Sequence, residues 1–441
     1  MPKATFYFPK DFRWGTATSS HQVEGNNRNN DWWAWEQEPG RILNGARSGL
    51  ACNWWQDAEA DLDRAAEMGT NAHRFSIEWS RVETQPGLYD EAALGRYREI
   101  LQAMHARGIE PMVTLHHFTN PIWLVHKGGW ENEGVVVDFQ RYVRVVADRL
   151  GDLVPLWVTI NEPMVYTVMA YLDARFPPGK SSLRAGLQVA RNMLLGHAVA
   201  YHAIKELRPD AQVGIARQLR LFEPSSPRSP LDRIATRMLH QIFNESFNQA
   251  LVTGRLTWPL GRGRFERVAN TLDFFGLNYY TRDLVAFSPT SPQQLFTRRH
   301  YADGAEMSDN HYGEIYPQGI IKALKMVAAY KLPIYITENG LPDADDDQRP
   351  GFILRHLRQV WAAIQFNTPV MGYYFWSLTD NFEWERGWVE RFGLISLDET
   401  TQERKMRRSG EMYGRICRGG FIDWELVAEY APALLGKMFP G

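Results

Sequence analysis

Residues 55–77, WQDAEADLDRAAEMGTNAHRFSI, contain one complete copy of the pattern that decides the fold of this chain. Residues 55–68 carry apolar side chains at helical spacing, and Gly69 follows where a helix C-cap needs a residue with positive φ. Residues 72–77 (AHRFSI) then form a short run of strand-forming residues. The stretch predicts a helix that leads directly into a strand.

The same alternation continues along the chain, and residues 91–107 form a second helical pattern, which Gly108 follows. Alternating α and β units with continuous apolar strands indicate a parallel sheet covered by helices, and eight units indicate a closed (β/α)8 barrel. An open doubly wound sheet is the alternative, but no GxGxxG motif follows the first run. The eight predicted strands are residues 12–18 (FRWGTAT), 72–77 (AHRFSI), 111–116 (PMVTLH), 156–161 (LWVTIN), 212–216 (QVGIA), 273–279 (DFFGLNY), 333–338 (PIYITE) and 370–376 (VMGYYFW).

Composition indicates one large barrel domain over residues 1–441, with elaborated βα loops and no low-complexity linker. The 49 Lys and Arg balance 51 Asp and Glu, so nothing favours a nucleic-acid or membrane partner. The start has no basic and apolar leader pattern, and no run of 18 apolar residues occurs, so we expect a cytoplasmic location. Cys52 and Cys417 lack CxxC spacing and are expected to be two reduced thiols.

Two glutamates at predicted strand ends are the first candidates for chemistry. Glu162 follows the fourth run, and Glu338 ends the seventh. A single Glu in such a position is usually a solvated residue or a helix N-terminal acid. Strands four and seven lie across the mouth of a barrel from each other, so these carboxylates can face one ligand. Opposed carboxylates are the groups that glycoside hydrolysis requires.

Other strand ends carry aromatic and histidine side chains. His116 and His117 are adjacent, and neighbours in a strand point to opposite faces, so only one enters the site and no metal site is predicted. Residues 376–384 (WSLTDNFEW) follow the eighth run. They are either buried tryptophans beside a helix cap or a platform for sugar rings with a carboxylate for vicinal hydroxyls.

The motifs FRWGTATSSHQVEG, HRFSIEWSR, TLHHF, TINEP, GLNYYT, ITENG and WSLTDNFEW occur in this order. With them, the sequence from about residue 8 to about residue 416 resembles glycoside hydrolase family 1, the β-glucosidase and β-galactosidase family of clan A. The resemblance implies a TIM barrel without a cofactor. It also implies a retaining, exo-acting hydrolase of small β-D-glucosides or β-linked oligosaccharides, with β-D-galactosides and β-D-fucosides as further substrates.

The resemblance also assigns the catalytic roles. Glu162 in TINEP matches the acid/base, and Glu338 in ITENG matches the nucleophile that forms a covalent glycosyl-enzyme. Asn161 looks like the group that binds the 2-hydroxyl, and Arg74 and Tyr280 look like the partners of the nucleophile. On these roles we expect Glu338 to keep a low pKa beside Arg74, and Glu162 to hold its proton to near neutral pH.

The residues that bind the nonreducing sugar follow from the same likeness. Gln22, His117, Glu383 and Trp384 match the groups that bind its hydroxyls, and Trp376 matches its stacking platform. Phospho-glycosidases of the family replace the Glu of FEW, so Glu383 predicts an unphosphorylated glycone because a carboxylate repels a phosphate.

At three positions the sequence differs from some or many members of the family that it resembles. Glu162 is present where myrosinases of the family have Gln, Ala174 stands where many members have Gly, and Phe118 stands where many have Trp.

Residues 424–439 (WELVAEYAPALLGKMF) are predicted to form a short amphipathic helix containing Pro432 that docks on the barrel, with a homo-oligomer contact as the alternative. The alternatives for function are the same mechanism used mainly for transglycosylation, and a catalytically silent sugar-binding barrel.

Overall fold

Eight parallel strands close into a barrel in the computed structural model, which describes residues 4–439. Each strand pairs with the next along the chain, and the eighth pairs with the first. The predicted closed barrel is therefore confirmed. The strands are β1 (Arg13–Ala17), β2 (Ala72–Ser76), β3 (Glu110–His116), β4 (Leu156–Asn161), β5 (Gln212–Gln218), β6 (Phe274–Asn278), β7 (Ile334–Asn339) and β8 (Val370–Trp376).

One long helix follows each strand and packs outside the barrel. The helix named α1 shows how the sequence sets its end: Gly69 has a φ of 92°, and its N–H donates to the carbonyl of Ala66 at 2.8 Å. The predicted cap is confirmed. The helices are α1 (Trp54–Met68), α2 (Glu91–Ala106), α3 (Val135–Leu150), α4 (Leu183–Leu207), α5 (Ser246–Thr253), α6 (Gln318–Ala328), α7 (Arg349–Gln365) and α8 (Arg408–Gly419).

The strands are buried on both faces, which explains their nearly continuous apolar sequences. One cluster, with Met112, Val158, Phe274 and Tyr374 among its members, fills the barrel interior, and a much larger cluster fills the space between strands and helices. The packed interior leaves the C-terminal strand ends as the place where polar side chains can face a ligand.

Shorter elements lie in the connections. The helical segments are Ser20–Val23, Asp31–Glu36, Trp79–Val82, Ile122–His126, Pro163–Tyr171, Pro230–His240, the π-helical turn Gln241–Glu245, and two near the C-terminus, Trp424–Tyr430 and Leu435–Met438. The short strands are Thr5–Tyr7, Glu83–Gln85, Leu88–Tyr89, Leu221–Pro224, Arg255–Leu256, Gly263–Arg264, Arg282–Phe287, Thr297–His300, Ile395–Leu397, Arg404–Met406 and Phe421–Asp423.

The C-terminal extension docks on the chain as predicted, but it is not one helix. Its first helix ends at Tyr430, and a 3₁₀ turn begins at Pro432, because proline lacks the N–H that would continue the helix. Phe439 is buried and stacks on Phe6, with ring centroids 4.9 Å apart. The prediction of a continuous helix through Pro432 is therefore wrong, whereas the predicted docking is confirmed.

Cys52 and Cys417 are both free and buried, as the sequence predicts. Burial raises the pKa of the Cys52 thiol to about 12. Within residues 4–439, no helix combines the length and the apolar character that crossing a membrane requires.

Candidate active site

The two candidate glutamates stand at the C-terminal ends of β4 and β7 and line one cavity. Glu338 lies within β7, and its side chain is 4% exposed. Glu162 comes directly after β4 and has a φ of 45°, a left-handed conformation that non-glycine residues adopt rarely. Its N–H donates to the carbonyl of Ala216 on β5 at 2.8 Å. That bond holds the strained turn against the neighbouring strand.

Glu338 has the stronger hydrogen-bond donors of the pair. Arg74 Nη1 donates to Oε1 at 2.7 Å, and the Tyr280 hydroxyl donates to Oε2 at 2.7 Å. Burial nevertheless raises the pKa of Glu338, because desolvation outweighs the lowering by Arg74 and Tyr280. Arg74 and Tyr280 therefore contact Glu338 as the sequence predicts, but the direction of the pKa shift is opposite to the predicted one, since the sequence reveals the cation and not the depth of burial.

Glu162 is better suited to hold a proton. Within residues 4–439, its only hydrogen bond to a side chain comes from Asn278, whose Nδ2 donates to Oε1 at 2.8 Å. Burial, reinforced by the negative charge of Glu338, raises the pKa of Glu162 to about 8 against the lowering by the Asn278 amide and by the charges of Arg74 and Arg217. The direction of this shift agrees with the expectation that Glu162 holds its proton to near neutral pH.

Asn161 and Asn278 connect the two carboxylates. Arg74 Nη2 and Asn278 Nδ2 both donate to Asn161 Oδ1, at 2.7 and 3.2 Å. Asn278 Oδ1 in turn accepts from the Thr337 hydroxyl at 2.6 Å. Asn278 belongs to the motif GLNYYT, yet the sequence analysis gave it no role. Its position could have indicated a role, because Asn278 is a polar side chain at the end of β6, next to the strand that carries Glu338.

The histidine pair divides as predicted between the cavity and the layer behind it. His117 lines the cavity, and the Asn161 amide lies 3.1 Å from its Nε2. His116 lies behind, with its Nε2 within 3.1 Å of both Asn120 and Trp130. Burial lowers the pKa of His116 to about 4 and lowers that of His117 well below its usual value.

The hydrogen bonds around Asn161 also orient the His117 ring. Asn161 Oδ1 faces Arg74 and Asn278, so its Nδ2 is the atom that faces His117. An amide N–H needs an acceptor, so Nε2 of the neutral ring carries no hydrogen and Nδ1 carries it. Nδ1 is buried without a hydrogen-bond partner. The ring therefore holds one unused N–H donor.

Gln22 and Glu383 form the deepest polar contact of the site. Gln22 Nε2 donates to Glu383 Oε2 at 3.0 Å, and the Ser19 hydroxyl donates to Gln22 Oε1 at 2.6 Å. Gln22 is fully buried behind Glu383 and is not among the residues that line the cavity. Burial, reinforced by the charge of Glu385, raises the pKa of Glu383 well above its usual value.

Aromatic rings form one wall of the cavity. His117 stacks between the tryptophans, with ring centroids 5.9 Å from Trp376 and 6.0 Å from Trp384. Phe118 packs against Trp384 at 5.3 Å. The cavity has a volume of about 380 Å³, within the range of small-ligand sites. A larger groove of about 1060 Å³ lies outside the barrel between α3 and α4, away from both carboxylates.

A sequence model described as glycosyl hydrolase family 1 matches residues 4–420. The chain belongs to glycosyl hydrolase family 1. The match agrees with the resemblance seen in the motifs, and it ends just before the C-terminal extension. Family 1 membership makes the chain an O-glycosyl hydrolase with a (β/α)8 barrel.

Solved and curated family 1 proteins are similar over almost the whole chain. A β-glycosidase from Pyrococcus horikoshii is 40% identical, with a TM-score of 0.90, and the alignment covers 97% of this chain and 98% of that one. A Thermotoga maritima β-glucosidase in complex with galacto-hydroximolactam is 31% identical, with a TM-score of 0.88 and coverage of 94% and 99%. A β-galactosidase from Sulfolobus acidocaldarius is 32% identical, with coverage of 95% and 96%.

Two departures from the family 1 pattern fall at strained backbone positions. Ala174 has a φ of 55°, in the region where glycine is favoured, which explains why many members have Gly there. Phe118 has a φ of 72° and lines the cavity, where many members have Trp.

Paired arginines at the cavity wall are a feature that sequence analysis missed. Arg220 Nη2 donates to Asp283 at 2.8 Å, and Arg386 Nη2 pairs with Glu390 at 2.7 Å. Arg175 pairs with Glu385. These three are the arginines that line the cavity, and each is committed to a carboxylate.

Proposed function

We propose that this chain is a retaining, exo-acting β-glycosidase that hydrolyses unphosphorylated β-D-glucosides, and also β-D-galactosides and β-D-fucosides. The observation that carries the proposal is the unequal surroundings of two carboxylates that share one cavity. Glu338 accepts from a guanidinium and a phenol, whereas Glu162 accepts from one neutral amide. Such a difference separates an ionised nucleophile from a protonated acid.

In the first step, Glu162 gives its proton to the glycosidic oxygen while a carboxylate oxygen of Glu338 attacks the anomeric carbon. The bond to the glycosidic oxygen breaks, and the aglycone leaves as a neutral alcohol. Arg74 and Tyr280 hold the Glu338 carboxylate in place for the attack. The product is a glycosyl ester on Glu338.

In the second step, water hydrolyses that ester with the same acid/base. Esterification removes the negative charge of Glu338, which is one of the causes that raise the pKa of Glu162. The pKa of Glu162 then falls, so its carboxylate takes a proton from water as the water oxygen attacks the anomeric carbon. The ester bond breaks, Glu338 is ionised again, and two inversions give net retention.

The glycone fits the polar groups at the closed end of the cavity. His117 lines the cavity, and the Asn161 amide lies between His117 and the catalytic pair. Glu383 is held by Gln22 and offers a further hydrogen-bonding carboxyl group. The face of Trp376 suits the apolar face of a sugar ring.

The unphosphorylated glycone needs a different argument from the one made on sequence. Burial raises the pKa of Glu383, so charge repulsion by its carboxylate is a weak basis for rejecting a phosphate. The three arginines that line the cavity are already paired, so a phosphate would find no uncommitted guanidinium among them. Acceptance of both glucosides and galactosides is supported by the names of relatives and by the galacto-configured ligand of the Thermotoga maritima enzyme.

The nucleophile is tested with Glu338→Gly. We expect this variant to lose at least about 1000-fold in kcat on an aryl β-glucoside, since the covalent step disappears. Added azide should restore turnover and give the α-glycosyl azide, because azide attacks where the carboxylate did. Glu399→Gly, at an exposed turn position, is the matched control and should keep full activity. Intact hydrolysis by Glu338→Gly, or no azide product, would refute the assignment.

The alternatives are separated by product analysis. Transglycosylation uses the same intermediate, so the ratio of free sugar to transferred sugar at rising acceptor concentration distinguishes it from hydrolysis. A silent binding barrel would show sugar binding without turnover on any of a panel of aryl β-glycosides and β-linked disaccharides. The cytoplasmic location and the homo-oligomer stay predictions, to be tested by cell fractionation and by light scattering.

A further inference from the structure

The loop between β7 and α7 carries four aspartates in five positions, DADDD at residues 343–347. The carboxylates of Asp343, Asp345 and Asp347 each offer one oxygen, and these three atoms lie within 4.8 Å of one another. Their spacing, every second residue, is the spacing of the first ligands in calcium-binding loops. Three like charges this close need a counter-charge.

Asp343 supplies an independent sign of a ligand. The residue is fully buried, and its Oδ2 accepts the backbone N–H groups of Gln348 and Arg349 at 3.0 and 2.7 Å. Its other oxygen, Oδ1, is buried without any hydrogen-bond partner. A buried carboxylate oxygen rarely lacks a donor, because its desolvation is then uncompensated. A bound cation would satisfy it.

The nearby guanidinium groups are used elsewhere. Arg349 pairs through Nη1 with Asp346, and its Nη2 donates to the carbonyl of Arg391 at 2.8 Å. Arg407 pairs with Asp380 at 2.7 Å. Within residues 4–439, no lysine, arginine or histidine forms an ion pair with the three clustered aspartates. The charge of Arg349 acts on Asp343 without an ion pair, so the protein's own cations neutralise the cluster only in part.

A second loop adds a fourth carboxylate to the surroundings. Asp309 Oδ2 accepts the backbone N–H of Ala344 at 2.8 Å, and the N–H of Asp309 donates to the carbonyl of Pro342 at 3.3 Å. The acidic loop is thus tied to the loop at Asp309–His311, which increases the local negative charge.

We propose that Asp343, Asp345 and Asp347 bind a divalent cation of the calcium class. The donors are all oxygens, which suits a hard cation, and the cluster contains no histidine or cysteine of the kind that zinc prefers. Calcium tolerates irregular oxygen sets, whereas magnesium requires near-octahedral geometry. The site lies outside the catalytic cavity and does not depend on the proposed glycosidase reaction.

Such a cation would fix the connection that follows the strand of Glu338. The loop follows Asn339 at the end of β7, carries Asp343 five positions after Glu338, and enters α7 at Arg349. A cation bound to the folded chain and not to the unfolded chain stabilises the fold by mass action. The expected readout is therefore thermal stability, together with direct binding.

The test titrates the full chain, freed of metal with a chelator, with calcium chloride by calorimetry and by thermal unfolding. We expect one calcium per chain and a Tm that rises with calcium. Asp345→Asn/Asp347→Asn changes two exposed side chains, so the variant should fold, and its calcium affinity should fall at least about tenfold. Asp11→Asn/Asp210→Asn removes the same charge at exposed positions elsewhere and should bind as the unaltered chain does.

Three results would each overturn the proposal. The first is the absence of binding heat and of any Tm change with calcium, magnesium or manganese at about millimolar concentration, a range that includes weak protein sites. The second is unchanged calcium affinity in Asp345→Asn/Asp347→Asn. The third is equal weakening in the control, which would indicate general charge effects and not a site.

Discussion

At the scale of single residues, the proton on Glu162 is decided by competition among burial, a neighbouring charge and one amide. Burial and the charge of Glu338 raise its pKa, and the hydrogen bond from Asn278 lowers it. Glu338 is equally buried, but it has a guanidinium and a phenol as donors. The same low-dielectric site therefore keeps one carboxylate neutral and the other ready to ionise.

The burial of the Glu162 carboxyl group lowers the free energy of unfolding as pH rises, and Glu162→Gln should remove this effect. Folding raises the pKa of Glu162 from 4.5 to about 8. The contribution of Glu162 to the free energy of unfolding is therefore fully favourable only below pH 4.5, the pKa in the unfolded chain. As pH rises between these values, the unfolded chain gives up a proton that the folded chain keeps, and the free energy of unfolding falls. Between about pH 5 and about pH 7.5 the variant should gain roughly 3 kcal/mol over the unaltered chain.

Thermal unfolding of both proteins at the two pH values measures this effect. Glu399→Gln changes an exposed glutamate in the same way and should show no growing difference. A Tm difference between Glu162→Gln and the unaltered chain that stays constant with pH would contradict the raised pKa.

Asn278 should influence catalysis through Glu162. Its amide donates to Glu162 Oε1 and favours the ionised form, so Asn278→Ala should raise the pKa of Glu162 further. We expect the alkaline limb of kcat/KM to move to higher pH, and kcat to fall on the order of 100-fold through lost positioning. The measurement is a pH profile of kcat/KM. Asn310→Gly, at an exposed position of the same cavity with a φ of 52°, should leave the limb unmoved.

At the scale of elements, the junctions between strands and helices position the side chains of the candidate site. The two terminal segments contribute to stability by packing against each other. Glu162 stands where β4 gives way to the helix Pro163–Tyr171, and its left-handed turn is held by β5. The N-terminal strand Thr5–Tyr7 pairs with Phe421–Asp423, and the C-terminal extension then covers it. The C-terminal extension therefore packs on the N-terminal strand and lies beyond residue 420, where the family match ends.

Phe439→Ala tests the docking of that extension. Phe439 is 3% exposed and stacks on Phe6, so its truncation removes buried apolar contact. Full burial would cost about 3–5 kcal/mol, and a chain end should lose less, roughly 1–2 kcal/mol. We expect a lower Tm with unchanged kcat at moderate temperature. Lys437→Ala, on an exposed neighbour, is the control, and an equal Tm for Phe439→Ala would argue against docking.

At the scale of the whole molecule, the barrel brings together residues from across the sequence. Arg74 on β2 contacts Glu338 on β7 and Asn161 on β4 in one hydrogen-bond network. The interior cluster packs the barrel beneath them, so the network meets the ligand only from the open end. The near balance of charges, a formal −2, gives no long-range attraction for a charged substrate.

Local patterns were sufficient to predict the eight strands, although their ends moved. The run predicted at 212–216 extends to Gln218, and Arg217 within the extension is buried. The prediction of one helix across Pro432 is wrong because amphipathic spacing does not show that proline lacks the N–H needed to continue the helix. Boundaries depend on partners in space that periodicity does not report.

The sequence by itself determined the barrel and the two glutamates at its strand ends, since both follow from short-range pattern and from the topology of parallel sheets. Only the tertiary structure decided the state of those glutamates, because burial and the partners at Asn278, Arg74 and Tyr280 come from separate strands and loops. It also decided which aspartates of residues 343–347 converge, and that one buried oxygen of Asp343 lacks a donor. Interactions between residues distant in sequence are set by folding, and local sequence does not encode their geometry.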